Sequence, residues 1–210
     1  MIKVLIADDH AVVRRGLRQI LTEDPDIFVG AEASTAGEVR ELVRAQRWDV
    51  IVLDVNMPGG SGIELVSELK KERPELRILI LTVYPEDQYA VRAIRAGAAG
   101  FLTKESAPEM LLGAVKKIAA GGRYVSPELA ETLASLFAGE SQGLPHERLS
   151  DREFEIFKML SSGKTVSQVA QELGLSVKTV STHRTRILRK MEMRTNAELT
   201  HYALKNGVVQ

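Results

Sequence analysis

Val50-Ile51-Val52-Leu53-Asp54-Val55-Asn56-Met57-Pro58-Gly59-Gly60-Ser61-Gly62 decides how this chain is laid out. Four aliphatic residues run into one carboxylate, and a Pro-Gly-Gly turn comes next. A short apolar run bounded by turn signals reads as a strand buried on both faces, as in parallel sheets. Asp54 then stands at the carboxyl end of that strand, where open α/β sheets keep their ligand crevices. Capping the next helix falls to Ser61, whose Ser-x-x-Glu spacing to Glu64 makes a capping box. Asp54 is left free for chemistry.

Outward from this stretch, strands and helices alternate. Lys3–Ala7 is an apolar strand ending in Asp8-Asp9-His10. In Ala11–Thr22, helical spacing puts Val12, Val13, Leu17, Ile20 and Leu21 on one side, with Arg14, Arg15 and Arg18 on a solvated face. Ile27–Ala33 is a second strand, and Thr35-x-x-Glu38 opens a helix whose Val39, Leu42 and Val43 point inward. Downstream, a helix over Ser61–Arg73 stops before Pro74, Leu76–Val83 is the fourth strand, and a helix runs from Glu86 to Ala96. Phe101-Leu102-Thr103-Lys104 ends the fifth strand, and Ser106-x-x-Glu109 caps a helix reaching about Ala120. Five such alternations predict a doubly wound parallel sheet. Trp48 is expected to pack where the second helix meets the third strand, and Tyr84 and Tyr89 to flank the fourth helix.

In such a sheet the strand ends lie along one edge. That edge gathers Asp8 and Asp9, Asp54, the Thr82 hydroxyl and the Lys104 ammonium. Three carboxylates together repel unless a cation neutralises them. With no Cys in the chain and no His cluster, a hard, oxygen-loving ion such as Mg²⁺ suits the donors. An Asp carboxylate beside Mg²⁺ can attack phosphorus and form an aspartyl phosphate. Lys104 would pair with the incoming charge, and Thr82 could bond a phosphoryl oxygen. His10 is expected to border the pocket without binding the metal.

This constellation resembles the receiver domain of two-component response regulators over roughly residues 2–120. The resemblance implies a flavodoxin-like, five-stranded sheet. It also implies an acidic pair in Asp8 and Asp9, a phosphoacceptor in Asp54, and the family's lysine in Lys104. Thr82 and Phe101 fall at the switch hydroxyl and switch aromatic positions, and Met57-Pro58 with Gly62 matches the loop after the phosphoacceptor. By resemblance, Mg²⁺ is held by Asp9, Asp54 and the backbone carbonyl of Asn56, with Asp8 acting largely through water.

The 210-residue chain has a net charge of zero and 44% hydrophobic residues, enough for ordinary cores in one or two domains. The balance hides a division. Residues 1–144 carry 17 Lys+Arg against 21 Asp+Glu, whereas residues 145–210 carry 11 against 7. Such asymmetry points to a basic module with an anionic partner. The absence of Cys fits a reducing cytosol, and no apolar stretch is long enough for a signal or a membrane span, so the reading is cytoplasmic with no membrane partner. Gly121-Gly122 ends the fifth helix, Ser126-Pro127 starts another to about Ala138, and Gly139–Glu147 has linker composition. The expected layout is a receiver over 1–120, a linker over 121–147 and an all-α module over 148–210.

In that module Ser150-x-x-Glu153 opens a helix with Phe154, Phe157 and Leu160 inward, and Thr165-x-x-Gln168 opens the next. After Gly174-Leu175, Ser176 caps a longer helix to about Met191, completing a helix-turn-helix whose second member enters a major groove. On a helical wheel Val177, Val180, Ile187, Leu188 and Met191 share one side. Lys178, Thr182, Thr185, Arg186 and Arg189 lie opposite, with Ser181 on the flank. No acidic residue interrupts Ser176–Met191, and the short hydroxyl side chains permit close approach to base edges.

Leu149–Val209 resembles the LuxR/FixJ-type helix-turn-helix through Leu149-Ser-x-Arg152-Glu153, Gly163, Ala170-x-x-Leu173-Gly-Leu-Ser176 and Lys178-Thr179-Val180-x-x-His183. Receiver plus this module is the NarL/FixJ class of response regulator. The family pattern implies that Ser181, Thr182 and Thr185 face bases while Lys178, Thr179, His183 and Lys190 touch phosphates. His183 sits near the core edge of the wheel, where packing competes with that contact. Thr165–Gln168 (TVSQ) departs from the family's usual Ser-Asn-Lys-Glu, which removes one phosphate contact. Ala197–Ala203 is reminiscent of a proteobacterial subgroup of global regulators, and Asn196–Lys205 is the family's usual DNA-bound dimer helix. The implied partners are a sensor histidine kinase, double-stranded promoter DNA, a second copy once phosphorylated, and RNA polymerase. Two other functions share the same residues: an Mg²⁺-dependent phosphatase working through an aspartyl phosphate, and a regulator whose DNA binding ignores phosphorylation.

Overall fold

Each expected strand is present: β1 (Ile2–Ala7), β2 (Ile27–Ala33), β3 (Val50–Leu53), β4 (Ile78–Thr82) and β5 (Gly100–Thr103). All pair in parallel, in the order β2-β1-β3-β4-β5. The computed structural model describes residues 1–210 apart from residues 59, 85, 138–143 and 210. The chain divides into two compact units, Met1–Ser135 and Leu136–Gln210.

In the first unit every residue of β3 and β4 is buried, because helices cover both faces of the sheet. Helices α1 (Ala11–Thr22) and α5 (Ala107–Ala119) pack together, and their Leu17, Leu21, Leu111, Val115 and Ile118 close one core over Val4, Ile6, Val52 and Leu79. Helices α2 (Ala36–Ala45), α3 (Gly62–Glu72) and α4 (Glu86–Ala96) pack in sequence with one another. After β1 the chain adds β2 on one side and then returns to place β3 on the other. The order therefore reverses between β1 and β3, and the edge where Asp8, Asp9 and Asp54 emerge is the switch point of the sheet.

Three local expectations fail here. Val12 is 80% exposed, because α1 buries only the stripe carrying Leu17 and Leu21 and its first turn projects beyond the core. Arg14 is no solvated side chain: it bonds Glu32 on β2 and donates through Nη1 to the Asp8 carbonyl at 2.7 Å. Ser106 does not cap α5 with its side chain; its hydroxyl donates to the Thr103 carbonyl, and its own backbone is already helical. Thr35 does cap α2, accepting from the Glu38 N–H, while the Glu38 carboxylate accepts the Ser34 N–H. Trp48 packs as expected beneath α2, donating to the Leu42 carbonyl with Lys3 above its ring.

After α5 the chain makes one contact that no periodicity announces. The Phe101 N–H donates to the Tyr124 carbonyl and the Tyr124 N–H to that of Ala99, so Tyr124 extends the sheet beside β5. Helix α6 (Pro127–Phe137) comes next, with Ser126 accepting from the Leu129 N–H. Its expected end at Ala138 and residues 139–143 of the linker segment lie outside the described residues.

In the second unit a 3₁₀ turn (Pro145–Arg148) precedes α7 (Asp151–Ser161), α8 (Val166–Glu172), α9 (Val177–Lys190) and α10 (Asn196–Lys205). Pro145–Glu147, expected as linker, is tied into this unit: His146 Nδ1 lies 2.8 Å from the Tyr202 hydroxyl. The capping boxes at Ser150 and Thr165 are both closed, and Ser176 caps α9. Helix α7 sits at the centre, packed against both α9 and α10, with Phe154, Ile156 and Phe157 buried.

Candidate functional site

Parallel pairing brings the predicted strand-end residues together. Asp54, buried at the end of β3, donates its N–H to the Ala7 carbonyl, which locks it beside the end of β1. Asp54 Oδ1 accepts the Asn56 N–H at 3.2 Å and Oδ2 accepts from Lys104 Nζ at 2.7 Å. The same ammonium lies 2.6 Å from Asp8 Oδ2, a second ion pair. Lys104 is aimed there because its own N–H donates to the carbonyl of Thr82 at the end of β4.

Burial pushes the Asp54 carboxyl above its ordinary range, and the Lys104 bond only partly opposes this. For Lys104 burial works against the charged form, yet the Asp54 and Asp8 carboxylates outweigh it and hold the ammonium above its usual range. Ligand atoms of Asp8, Asp9, His10 and Asp54 all lie within 4.8 Å of one another. Three carboxylates against one ammonium leave two negative charges in a small, partly dry space. A divalent cation restores neutrality, and oxygen-dominated donors favour a hard one, so the residues fit such an ion. His10 borders this group: its N–H donates to Asp8 Oδ1, and its Nδ1 lies 2.6 Å from Asp9 Oδ1.

The loop beyond Asp54 folds into a two-residue ribbon, Asn56–Met57 against Gly60–Ser61, which the sequence showed only as a turn. Gly62 brings the chain back against the site. A Cβ there would stand 2.5 Å from Val55 Cα and 2.7 Å from the Asp54 carbonyl oxygen, so only glycine fits. The Ser61 side chain, expected to cap α3, lies outside the described residues. Thr82 is fully buried next to the pocket, its hydroxyl accepting the Tyr84 N–H at 3.3 Å, and Phe101 is buried on the neighbouring strand. Tyr84 and Tyr89 stack with ring centroids 4.3 Å apart.

In the second unit, α8 and α9 form the helix-turn-helix. Helix α9 buries Val180 and Ile187 and leaves Lys178, Thr179, Ser181, Thr182, Thr185, Arg186 and Arg189 exposed. Two expectations on it change. Val177, assigned to the core, is 52% exposed, since the first turn of α9 extends past the residues that cover Val180. Lys190 donates to Glu153 Oε2 at 2.6 Å, so any phosphate has to compete with a carboxylate already bound. Glu153 was legible only as a cap. It is 3% exposed, and burial tends to raise its pKa, yet Lys190 and the Ser150 N–H hold it below the ordinary range. His183 is partly buried with its Nδ1 enclosed, and that burial depresses its pKa.

The family described as response regulator receiver domain matches residues 4–116, and the bacterial regulatory proteins of the luxR family match residues 147–203. The chain is a LuxR-family response regulator. Response regulator GacA of Pseudomonas aeruginosa is 36% identical to it over 210 residues, covering 100% of this chain and 98% of GacA. The oxygen regulatory protein NreC of Staphylococcus haemolyticus is 38% identical over 214 residues, covering 99% of each. RcsB of Salmonella enterica serovar Typhimurium, solved bound to promoter P1flhDC with the phosphomimetic BeF3−, is 26% identical with a TM-score of 0.61, covering 96% of the regulator and 97% of RcsB.

Proposed function

We propose that phosphorylation of Asp54 by a sensor histidine kinase switches this transcription regulator to a dimer that binds promoter DNA through α9. The observation that carries this reading is the burial of Asp54 between Lys104 and the Asp8–Asp9 pair, in one chain with an acid-free, basic recognition helix. A carboxylate oxygen of Asp54 attacks the phosphorus of a phosphoryl donor, the bond to the donor's leaving group breaks, and an acyl phosphate remains. Lys104 moves its ammonium from the carboxylates onto the added phosphoryl oxygens, and the Thr82 hydroxyl, exchanging the Tyr84 N–H, donates to one of them. Phe101, against β4, is the aromatic that reports the change. Asp9, Asp54 and the Asn56 carbonyl, with Asp8 through water, would hold Mg²⁺, which supplies charge neutralisation to the incoming phosphoryl group.

Residues 1–120 are the receiver and 148–210 the DNA module, joined through 121–147. Ser181, Thr182 and Thr185 face bases, and Lys178, Thr179, Arg186 and Arg189 meet phosphates, with His183 and Lys190 at the margin. RcsB, a relative of the same two-module build, is held on promoter DNA in the phosphomimetic state. Among the described residues no helix is long and apolar enough to cross a membrane. Work on a chromosomal promoter, with RNA polymerase as the machine being regulated, belongs to the cytoplasm. The pocket serves self-phosphorylation and its reversal at Asp54, not turnover of an outside phosphoester. Incubation with acetyl phosphate and Mg²⁺ tests this: an acid-labile, hydroxylamine-sensitive phosphate on Asp54 is expected, and hydrolysis of p-nitrophenyl phosphate at a comparable rate would instead make the protein a phosphatase.

A further inference from the structure

The stripe of α9 that faces bases in the reading above carries only short hydroxyl and aliphatic side chains, and this bears on which bases it reads. The Thr182 hydroxyl donates to the Lys178 carbonyl at 3.0 Å and the Thr185 hydroxyl to the Ser181 carbonyl at 3.1 Å. Each hydroxyl hydrogen is engaged inside the helix, so each threonine offers the outside a methyl group and oxygen lone pairs, and no donor. Val177 adds an isopropyl group on the first turn, exposed where its periodicity called for burial. Val177, Ser181 and Thr185 are spaced i, i+4, i+8, a continuous stripe starting at the helix N-terminus, with Thr182 beside it. The N-terminal turns of a recognition helix are the ones that reach base edges.

Three other polar groups of α9 are engaged within the module, and Lys178, Arg186 and Arg189 go to phosphates in the reading above. Arg184 donates to Asn196 Oδ1 at 2.7 Å, Lys190 is held by Glu153, and Thr179 shares its hydroxyl with Ser176. No Asn or Gln, the side chains that pair with adenine through two bonds, occurs in α9. Guanine shows two acceptors in the major groove, which a methyl or a lone pair cannot satisfy; thymine shows a methyl group, which apolar side chains contact directly.

Resting on the DNA-binding reading above, we propose that Val177, Thr182 and Thr185 recognise thymine methyl groups, so that the half-site is specified by apolar contact at T·A pairs. The hydroxyl oxygens, facing the groove as acceptors, suit the adenine N6 amine at neighbouring pairs and disfavour guanine. Val177 is then a specificity residue of this regulator, one turn ahead of the positions the family pattern supplies.

The experiment begins by selecting sites from random duplex DNA with the full-length, acetyl phosphate-treated protein. Each thymine in the selected site is then replaced singly by deoxyuridine, which deletes the methyl and keeps every hydrogen bond. Burial of one methyl is worth about a three- to fourfold change in affinity, and about tenfold when both half-sites are altered. Losses of that size are expected at two or three thymines per half-site. They should shrink toward onefold in Val177→Ala and Thr182→Ser, the latter keeping its hydroxyl. Uniform tolerance of deoxyuridine would overturn the proposal while leaving DNA binding intact. Undiminished losses in both variants would likewise overturn it, by assigning the methyl contacts to other residues. If the wild type selected no sequence at all, the DNA-binding reading would fall with it.

Discussion

Asp54 joins two properties that rarely coincide on one carboxylate: burial, which raises its pKa, and an ammonium at 2.7 Å, which keeps it usable as an anion. Replacing it tests the acceptor. Asp54→Asn is expected to carry no phosphate after acetyl phosphate and Mg²⁺ treatment, read by mass spectrometry of intact protein; retained hydroxylamine-sensitive phosphate would move the acceptor to Asp8 or Asp9. In the proposed switch, Thr82 acts once the phosphoryl group is in place. Moving a two-state equilibrium from 1:99 to 99:1 takes about 5.5 kcal/mol. One charge-assisted hydrogen bond from Thr82 supplies about 1.5–3 kcal/mol, so Lys104 and dimerisation have to provide the rest. Thr82→Ala should therefore be phosphorylated normally yet dimerise poorly in sedimentation, and full phosphate-driven dimerisation in that variant would discard the coupling. These residues were legible because a parallel sheet sends the ends of its strands to one edge, so polar residues far apart in sequence must meet. The Arg14 bonds to Glu32 and the Asp8 carbonyl were not, because an arginine on a helix surface looks the same in sequence whether or not a neighbouring strand offers a carboxylate.

At the scale of elements, the recognition helix divides its lysines between two tasks. Lys178 is exposed on the outer face, and Lys190 braces Glu153 of α7. Counterion release gives a log–log salt slope of about −0.9 per phosphate neutralised, so Lys178→Ala should flatten the slope by roughly 2 units in a dimer and weaken cognate and random DNA alike. Thr182→Ala should leave the slope alone and erode only the preference for the cognate site; equal losses on both DNAs would mean that α9 does not lie in the groove. Lys190→Ala speaks to stability instead. It leaves a nearly buried carboxylate with the Ser150 N–H and should lower the stability of the second unit by about 1–3 kcal/mol. Folding lowers the Glu153 pKa, so the unfolded chain takes up the proton first. The stabilisation is complete above the unfolded value of about 4.5 and is lost as pH falls through the lower folded value. Thermal melts from pH 6 to pH 3 should show that loss in the wild type and less of it in Lys190→Ala; identical profiles would remove Glu153 from the acid response. Helix boundaries and caps were mostly readable because Ser or Thr with Glu or Gln three residues on has a local cause. Ser106 breaks that rule: its hydroxyl finds a nearer acceptor in the Thr103 carbonyl at 3.0 Å. Glu153 obeys it and still conceals a second bond to a lysine 37 residues away, which no local pattern contains.

Across the whole molecule, the sequence showed an acidic α/β unit and then a basic helical one, and both are present as compact units. The architecture was legible because its signals are periodic and repeated: alternating strands and helices in one half, capped amphipathic helices in the other. What composition obscured was the ground between them. Tyr124 joins the sheet edge through two backbone bonds, and Pro145–Arg148 forms a turn whose His146 meets Tyr202; neither has an apolar period or a motif to mark it. The central claim is that chemistry at Asp54 in the first unit governs DNA binding by the second. It is tested most directly by fluorescence anisotropy on the selected DNA site, with and without acetyl phosphate and Mg²⁺, for wild type and Asp54→Asn. Phosphorylation is predicted to tighten binding of the wild type by about tenfold or more, equivalent to at least about 1.4 kcal/mol, and to leave Asp54→Asn at the untreated affinity. Equal affinity of treated and untreated wild type would contradict the account and leave a DNA-binding protein that ignores its own receiver.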